Sequence, residues 1–223
     1  MKALVWKRMI LKKISFTLFI ILFSTFLFAG SHEKTGVKEE FNKAIKLIEK
    51  MKYFEAFQIF SDLSQNDIPE AQYNLALLYS NGLGVPKNYK LSLYWSWQAH
   101  LNGHETAIGR ITATYDLINE NLRNEVAQLI IDELLITAQN GDRAAPLKLG
   151  KTYLGLFVEA QNQPAYLWMS IAQAYGDKAA SDLLEKAATQ LTLEEVLAQQ
   201  EEAHRMSVSY THLRAHETRH DVV

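Results

Sequence analysis

The residues best able to do chemistry fall in a few places. His212, His216 and His220 are spaced four apart, with Glu217 among them. On a helix they share one face, and the spacing suits imidazoles that ligate zinc. His100 and His104 repeat that spacing beside Glu105, with Gly103 between them. A glycine there ends a helix and takes the two rings off a common face. Gly82-Leu83-Gly84 has the outline of a phosphate-cradling turn that leads into a helix. Glu194-Glu195 and Glu201-Glu202 read as solvated helix faces, because carboxylates that cleave glycosides must face one another across a cleft. The chain has no cysteine, which removes thiol nucleophiles, disulfides and lipid attachment through a cysteine. It contains no nucleophile-elbow serine motif, Walker loop or dinucleotide fingerprint. The expectation is a protein without catalysis, cofactor or metal.

The two ends carry their own signals. Lys2, Lys7, Arg8, Lys12 and Lys13 form a basic leader, Ile14 to Phe28 is almost wholly apolar, and Ala29, Gly30 and Ser31 follow. That order is a secretory signal peptide, residues 1–31, with cleavage expected after Ala29 or Ser31. The apolar run is 15 residues, shorter than the roughly 20 a bilayer span requires. Left uncleaved, it would be the one route to a membrane. Ser207 to Thr218 reads S-V-S-Y-T-H-L-R-A-H-E-T, and is similar to the in-frame translation of a transposon-type sequencing adapter. Residues 207–223 are therefore set aside as a processing scar, and the histidine ladder goes with them. The native chain is expected to run to about Met206.

Between His32 and Met206 the chain has 16 Lys+Arg and 23 Asp+Glu, a formal charge of −7. So acidic a body, with no arginine-rich stripe, is unsuited to a phosphate backbone, and nucleic acid is excluded as partner. Helix formers are abundant and proline is sparse. An internal repeat organises them: a small residue, an aliphatic four later and an aromatic four after that. It occurs as Ala71–Leu75–Tyr79, Ala107–Ile111–Tyr115 and Ala145–Leu149–Tyr153; Ala180–Leu184–Ala188 lacks the aromatic. Spacing of four sets all three on one helical stripe. The intervals of 36, 38 and 35 residues are those of stacked helix pairs. Second helices repeat as well: Tyr94-Trp95, Ala99 and Gly103 return as Leu167-Trp168, Ala172 and Gly176, offset by 73, whereas Tyr79 and Tyr153 are offset by 74. One residue is thus missing from the later copy's turn.

The segment Ala71 to Gly103 resembles a Sel1-like repeat, with the Y-x-x-G-x-G-V turn carried by Tyr79, Gly82, Gly84 and Val85. The second helix follows with Asn88, Ser92 and Trp95, and Ala99 and Gly103 close it. Asn88 stands where the family has Asp, and either caps a helix. In the copy from Ala145 to Gly176, Phe157 replaces the second turn glycine and Gln161 the cap, so a different and less rigid turn is expected. Thr192 with Glu195 forms a capping box. Before the repeats, residues 38–66 resemble a tetratricopeptide helix pair. The resemblance implies an all-α solenoid of antiparallel helix pairs wound as a right-handed superhelix. Its units are 70–104, 105–141 (degenerate), 144–177 and 178–206 (degenerate or partial). It further implies a scaffold or adaptor that takes another protein or peptide on its concave surface, in the periplasm or at the cell surface of a bacterium. A cell-wall protein that binds or modifies peptidoglycan or β-lactams remains the alternative. Aromatic residues outside the repeat positions are the candidate partner contacts: Tyr89, Tyr94, Trp97 and Tyr166. Trp95 and Trp168 are expected to fill the space between pairs.

Overall fold

A computed structural model describes the backbone of residues 36–220 and side chains as far as Ser207. The leader lies outside the described residues. His212, His216 and His220 fall on a helix, but their side chains lie outside the described ones. Ten helices follow in order: α1 (36–49), α2 (Tyr53–Ser64), α3 (Pro69–Asn81), α4 (Tyr89–Leu101), α5 (Ala107–Tyr115), α6 (Glu120–Gln139), α7 (Ala145–Gly155), α8 (Asn162–Ala174), α9 (Ala180–Ala188) and α10 (Leu193–His220). There is no strand among the described residues. α2 packs on α3, α3 on α4, α4 on α5, α6 on α7, α7 on α8 and α8 on α9, while α4 on α6, α8 on α10 and α7 on α9 carry the stack from pair to pair. This is an all-α solenoid, the architecture the repeat spacing requires: one helix pair cannot bury its apolar face alone.

The repeat residues take the core as expected. Ala71, Ala107, Ala145 and Ala180 are fully buried, as are Leu75, Ile111 and Leu149. Ala at these points lets helix axes approach closely. One apolar cluster joins α1, α2 and α3 with Trp95; the next joins α4 to α8 and reaches Ala203 of α10. Trp95 and Trp97 divide these two clusters between them. Two positions along a helix is about 200° of rotation, so Trp95 faces the preceding pair while Trp97 faces the following one. Trp168 is sunk to 3 % exposure, whereas Trp95 is only partly buried. The tryptophan that fills the α4 side of the central core is Trp97 instead.

The local start and stop signals are those the sequence carries. Asn88 accepts a hydrogen bond from the Leu91 N–H at 3.0 Å and caps α4. Glu195 accepts from the Thr192 N–H at 2.8 Å while the Glu195 N–H donates to Thr192 Oγ1 at 3.3 Å, closing the capping box of α10. At the ends of α4 and α8, Gly103 and Gly176 have φ of 94° and 89°. The next residue's N–H then reaches back to Ala99 and Ala172. Gly141 does the same for α6, with Asp142 N–H donating to Thr137 O at 3.1 Å. This third closing glycine escaped the sequence pattern because Thr137 stands where the others have Ala.

One core position is imperfect. Ser92 is fully buried and its hydroxyl has no hydrogen-bond partner. A buried hydroxyl left unpaired costs about 1–3 kcal/mol. Ser92→Ala is therefore expected to raise stability, by about 1 kcal/mol; a lower urea midpoint in the variant would show that the hydroxyl is satisfied.

Candidate functional site

The Gly82–Val85 turn differs from its later copy, and the difference shows what each glycine does. Gly84 has φ of 77°, and a Cβ there would lie 2.6 Å from the carbonyl carbon and oxygen of Tyr53 and 2.8 Å from Phe54 N. The turn is thus pressed against the start of α2, and the Gly-x-Gly is spent on stacking. In the later copy Gly155 still belongs to α7, and Leu156 follows with right-handed φ. Both turns end on the same bond: Asn88 N–H to Tyr79 O and Gln161 N–H to Tyr153 O, each 2.9 Å. One copy spans one residue fewer, as the offsets require. Gln161 provides no side-chain cap.

The later turn is held from outside. Arg123 of α6 donates to the carbonyls of Leu156 at 2.7 Å, Phe157 at 2.8 Å and Gly155 at 3.3 Å. Its guanidinium lies over the Tyr115 ring, 3.8 Å from the centroid. Asn124 Oδ1 accepts from the Val158 N–H at 3.0 Å. Sequence inspection missed Arg123 and Asn124, because their partners are main-chain atoms more than thirty residues away.

The candidate partner contacts divide. Trp97 is 2 % exposed; its indole N–H donates to Thr152 Oγ1 at 3.0 Å and its ring covers Gly155. Tyr166 is 6 % exposed, and its hydroxyl accepts from Gln200 at 3.0 Å. Both are corrections: these side chains join neighbouring helices and leave no surface for a partner. Trp97 occupies a position that its later copy fills with Ser170, so the repeat pattern could not mark it as core. Tyr89 is half-buried with Lys87 over its ring. Tyr94, also half-buried, donates to Glu133 of α6 at 2.7 Å, and Gln98 donates to the Tyr94 hydroxyl at 3.2 Å. Burial first, then the neighbouring Glu133, pushes the Tyr94 phenol up. Burial also raises Glu133, against the pull of the Tyr94 hydrogen bond. The hydrogen bond is a structural link between α4 and α6.

The histidines of the central stack go to different places. His104 stacks on Tyr73 with centroids 4.2 Å apart, and His100 leans on Trp97 at 5.2 Å. No group of three metal-ligating side chains forms among the described residues. Burial, and then the Lys151 charge, hold the His100 pKa below its ordinary value of 6.5. A depressed histidine binds its proton more readily when unfolded, so stability falls as pH drops through about 6.5. His100→Gln is expected to lose that part of the acid sensitivity, read as a smaller shift of the urea midpoint between neutral and mildly acidic pH; an unchanged shift would place the acid loss elsewhere.

Stacked helix pairs with shared interfaces define the class of helical-repeat proteins, which offer extended surfaces to other proteins. Residues 69–99 match the Sel1 repeat family model. The α3–α4 pair thus matches a Sel1 repeat, and the chain is a helical-repeat protein that contains a Sel1-like unit. Two solved structures are similar. One is a protective antigen present in uropathogenic Escherichia coli strains that displays an SLR fold. It is 19 % identical with a TM-score of 0.35, and the match covers 78 % of this chain and 45 % of that one. This chain thus spans less than half its length. The other is a Sel1 repeat protein from Oxalobacter formigenes, 19 % identical with a TM-score of 0.24, covering 69 % of this chain and 79 % of that one. No curated protein matches the chain. Among the described residues no helix is long and apolar enough to cross a membrane.

Proposed function

We propose that this chain is an exported scaffold of the cell envelope that binds another protein or peptide along its helical stack and performs no catalysis of its own. The observation that carries this reading is how the residues suited to chemistry are used. The Gly-x-Gly turn packs on α2, His100 and His104 pack on separate aromatic rings, and Tyr94 and Trp97 tie helices together. What remains for function is surface. The basic leader, apolar run and small residues of 1–31 support export. The concave side of the stack is the surface with the greatest reach for an extended partner.

The test is chemical cross-linking of the full chain in a bacterial envelope extract, with mass spectrometry of what is captured, beside sedimentation with purified peptidoglycan. One specific protein partner is expected. Co-sedimentation with peptidoglycan and no cross-linked protein would replace this reading with the cell-wall one. Cell fractionation and the mass of the mature N-terminus test the export step, and a chain retained in the cytoplasm would remove it.

A further inference from the structure

Asparagine followed by glycine occurs three times in the chain, at Asn81-Gly82, Asn102-Gly103 and Asn140-Gly141. The three pairs end α3, α4 and α6, and their glycines have φ of 71°, 94° and 84°. Asparagine is among the thermolabile residues, and a following glycine has no side chain to shield the amide between them. The glycine nitrogen can then attack the side-chain carbonyl carbon of the asparagine. A bond forms between that nitrogen and Cγ, the Cγ–Nδ2 bond breaks, and ammonia leaves with the glycine's proton. Water opens the resulting cyclic imide at either carbonyl, to aspartate or to isoaspartate. Solvent is the one co-reactant.

The three sites share this dipeptide but differ in what restrains it. In each, the glycine N–H already donates to a main-chain carbonyl: Gly82 to Leu78 at 2.9 Å, Gly103 to His100 at 3.1 Å and Gly141 to Ala138 at 3.0 Å. The turn must therefore open locally before the ring can close. Asn102 is half-buried, and its Nδ2 donates to Gln72 Oε1 at 2.9 Å and to Asp67 Oδ1 at 3.0 Å. Gln72 is itself buried and donates to Ser64 O at 3.2 Å. Asn81 is exposed, but its Nδ2 donates to Leu77 O at 2.9 Å, and the turn after it is pressed on α2 through Gly84. Asn140 is exposed, as are Gln139 and residues 141–144, and its side chain has no hydrogen bond to any described residue. A Cβ on Gly141 would meet nothing within 4 Å.

We propose that Asn140 is a site of spontaneous deamidation in the folded protein, and that Asp67 and Gln72 protect Asn102 from the same reaction. The product matters because of where it lies. Aspartate at 140 sets a negative charge beside Asp142 at the C-terminal end of α6, where the helix dipole disfavours it. Isoaspartate routes the main chain through the side-chain methylene and lengthens it. The Asp142 N–H then loses its reach to Thr137 O, a bond of 3.1 Å that closes α6. α6 packs on α7 across this loop, and its Arg123 and Asn124 hold the turn between α7 and α8. Ageing at one residue therefore loosens the join between α6 and the unit after it.

The experiment is peptide mapping by mass spectrometry of the full chain after incubation at mildly alkaline pH, once folded and once in guanidinium chloride. Electron-transfer fragmentation tells aspartate from isoaspartate. In the folded chain Asn140 is expected to convert at least about tenfold faster than Asn102, whose two side-chain hydrogen bonds must break first. Asn81 should fall between them. In guanidinium the three should convert at similar rates, because the restraints are gone. Asp67→Gly keeps the positive φ of 55° accessible and should speed Asn102 by about fivefold, with Asn140 unchanged; circular dichroism checks that this variant folds. Aged protein carrying isoaspartate at 140 should unfold at a lower urea concentration than fresh protein. The proposal is overturned if Asn102 or Asn81 keeps pace with Asn140 in the folded chain. It is equally overturned if Asn140 converts in guanidinium alone, or if the ranking is the same folded and unfolded. An unchanged urea midpoint in the aged protein would overturn the loosening of the α6–α7 join.

Discussion

Trp97→Ala is expected to lower stability by about 3–5 kcal/mol, the cost of emptying a large buried site, whereas Trp95→Ala should cost about 1–2 kcal/mol. The two residues are near neighbours on α4, yet one is 2 % exposed and the other only partly buried. Trp97 also makes the indole hydrogen bond to Thr152 and seats its ring on Gly155 of α7. Truncation therefore leaves a cavity in the central cluster and severs a link between two units. Urea unfolding followed by far-ultraviolet circular dichroism measures both variants. Equal losses, or a larger loss at Trp95, would mean that the two rings have been assigned to the wrong neighbours.

Gly84→Ala should be the other severe substitution. Alanine at φ of 77° pays about 1–2 kcal/mol for left-handed backbone, and its methyl would lie 2.6 Å from main-chain atoms of Tyr53. Backbone cannot swing aside as a long side chain can, so the α2 start must shift and part of the α2–α3 packing is lost. A total of about 3 kcal/mol or more is expected. Gly103→Ala is the control: φ is 94° there, but nothing lies within 4 Å of the added atom, so only the backbone cost applies. The difference in urea midpoints between the variants isolates the contact; no difference means that α2 and the turn do not touch.

Spacing revealed the fold because the units bury matching positions: Ala71, Ala107, Ala145 and Ala180 are core in every unit and Leu75, Ile111 and Leu149 in the first three, while Leu184 of the last is only partly buried. Caps were legible for the same reason, since Asn88, Thr192 and Glu195 act within a few residues of themselves. What spacing could not disclose depends on pairs distant in the chain. Trp97 looked like a surface aromatic because its later counterpart is Ser170, and only the approach of Thr152 and Gly155 makes it core. Tyr166 was misplaced likewise, its neighbour Gln200 lying on α10.

The clamp on the later turn bears on how this molecule can be taken apart. The α3–α4 unit closes its turn with its own glycines and its own Asn88. The α7–α8 unit borrows Arg123 and Asn124 from the helix before it. It is therefore not a portable module: a chimaera that grafts α7–α8 behind a foreign unit leaves three turn carbonyls without their donor. The smallest piece that can be transplanted with this turn intact is α6–α7–α8, so the cutting points for recombination do not coincide with the repeat boundaries.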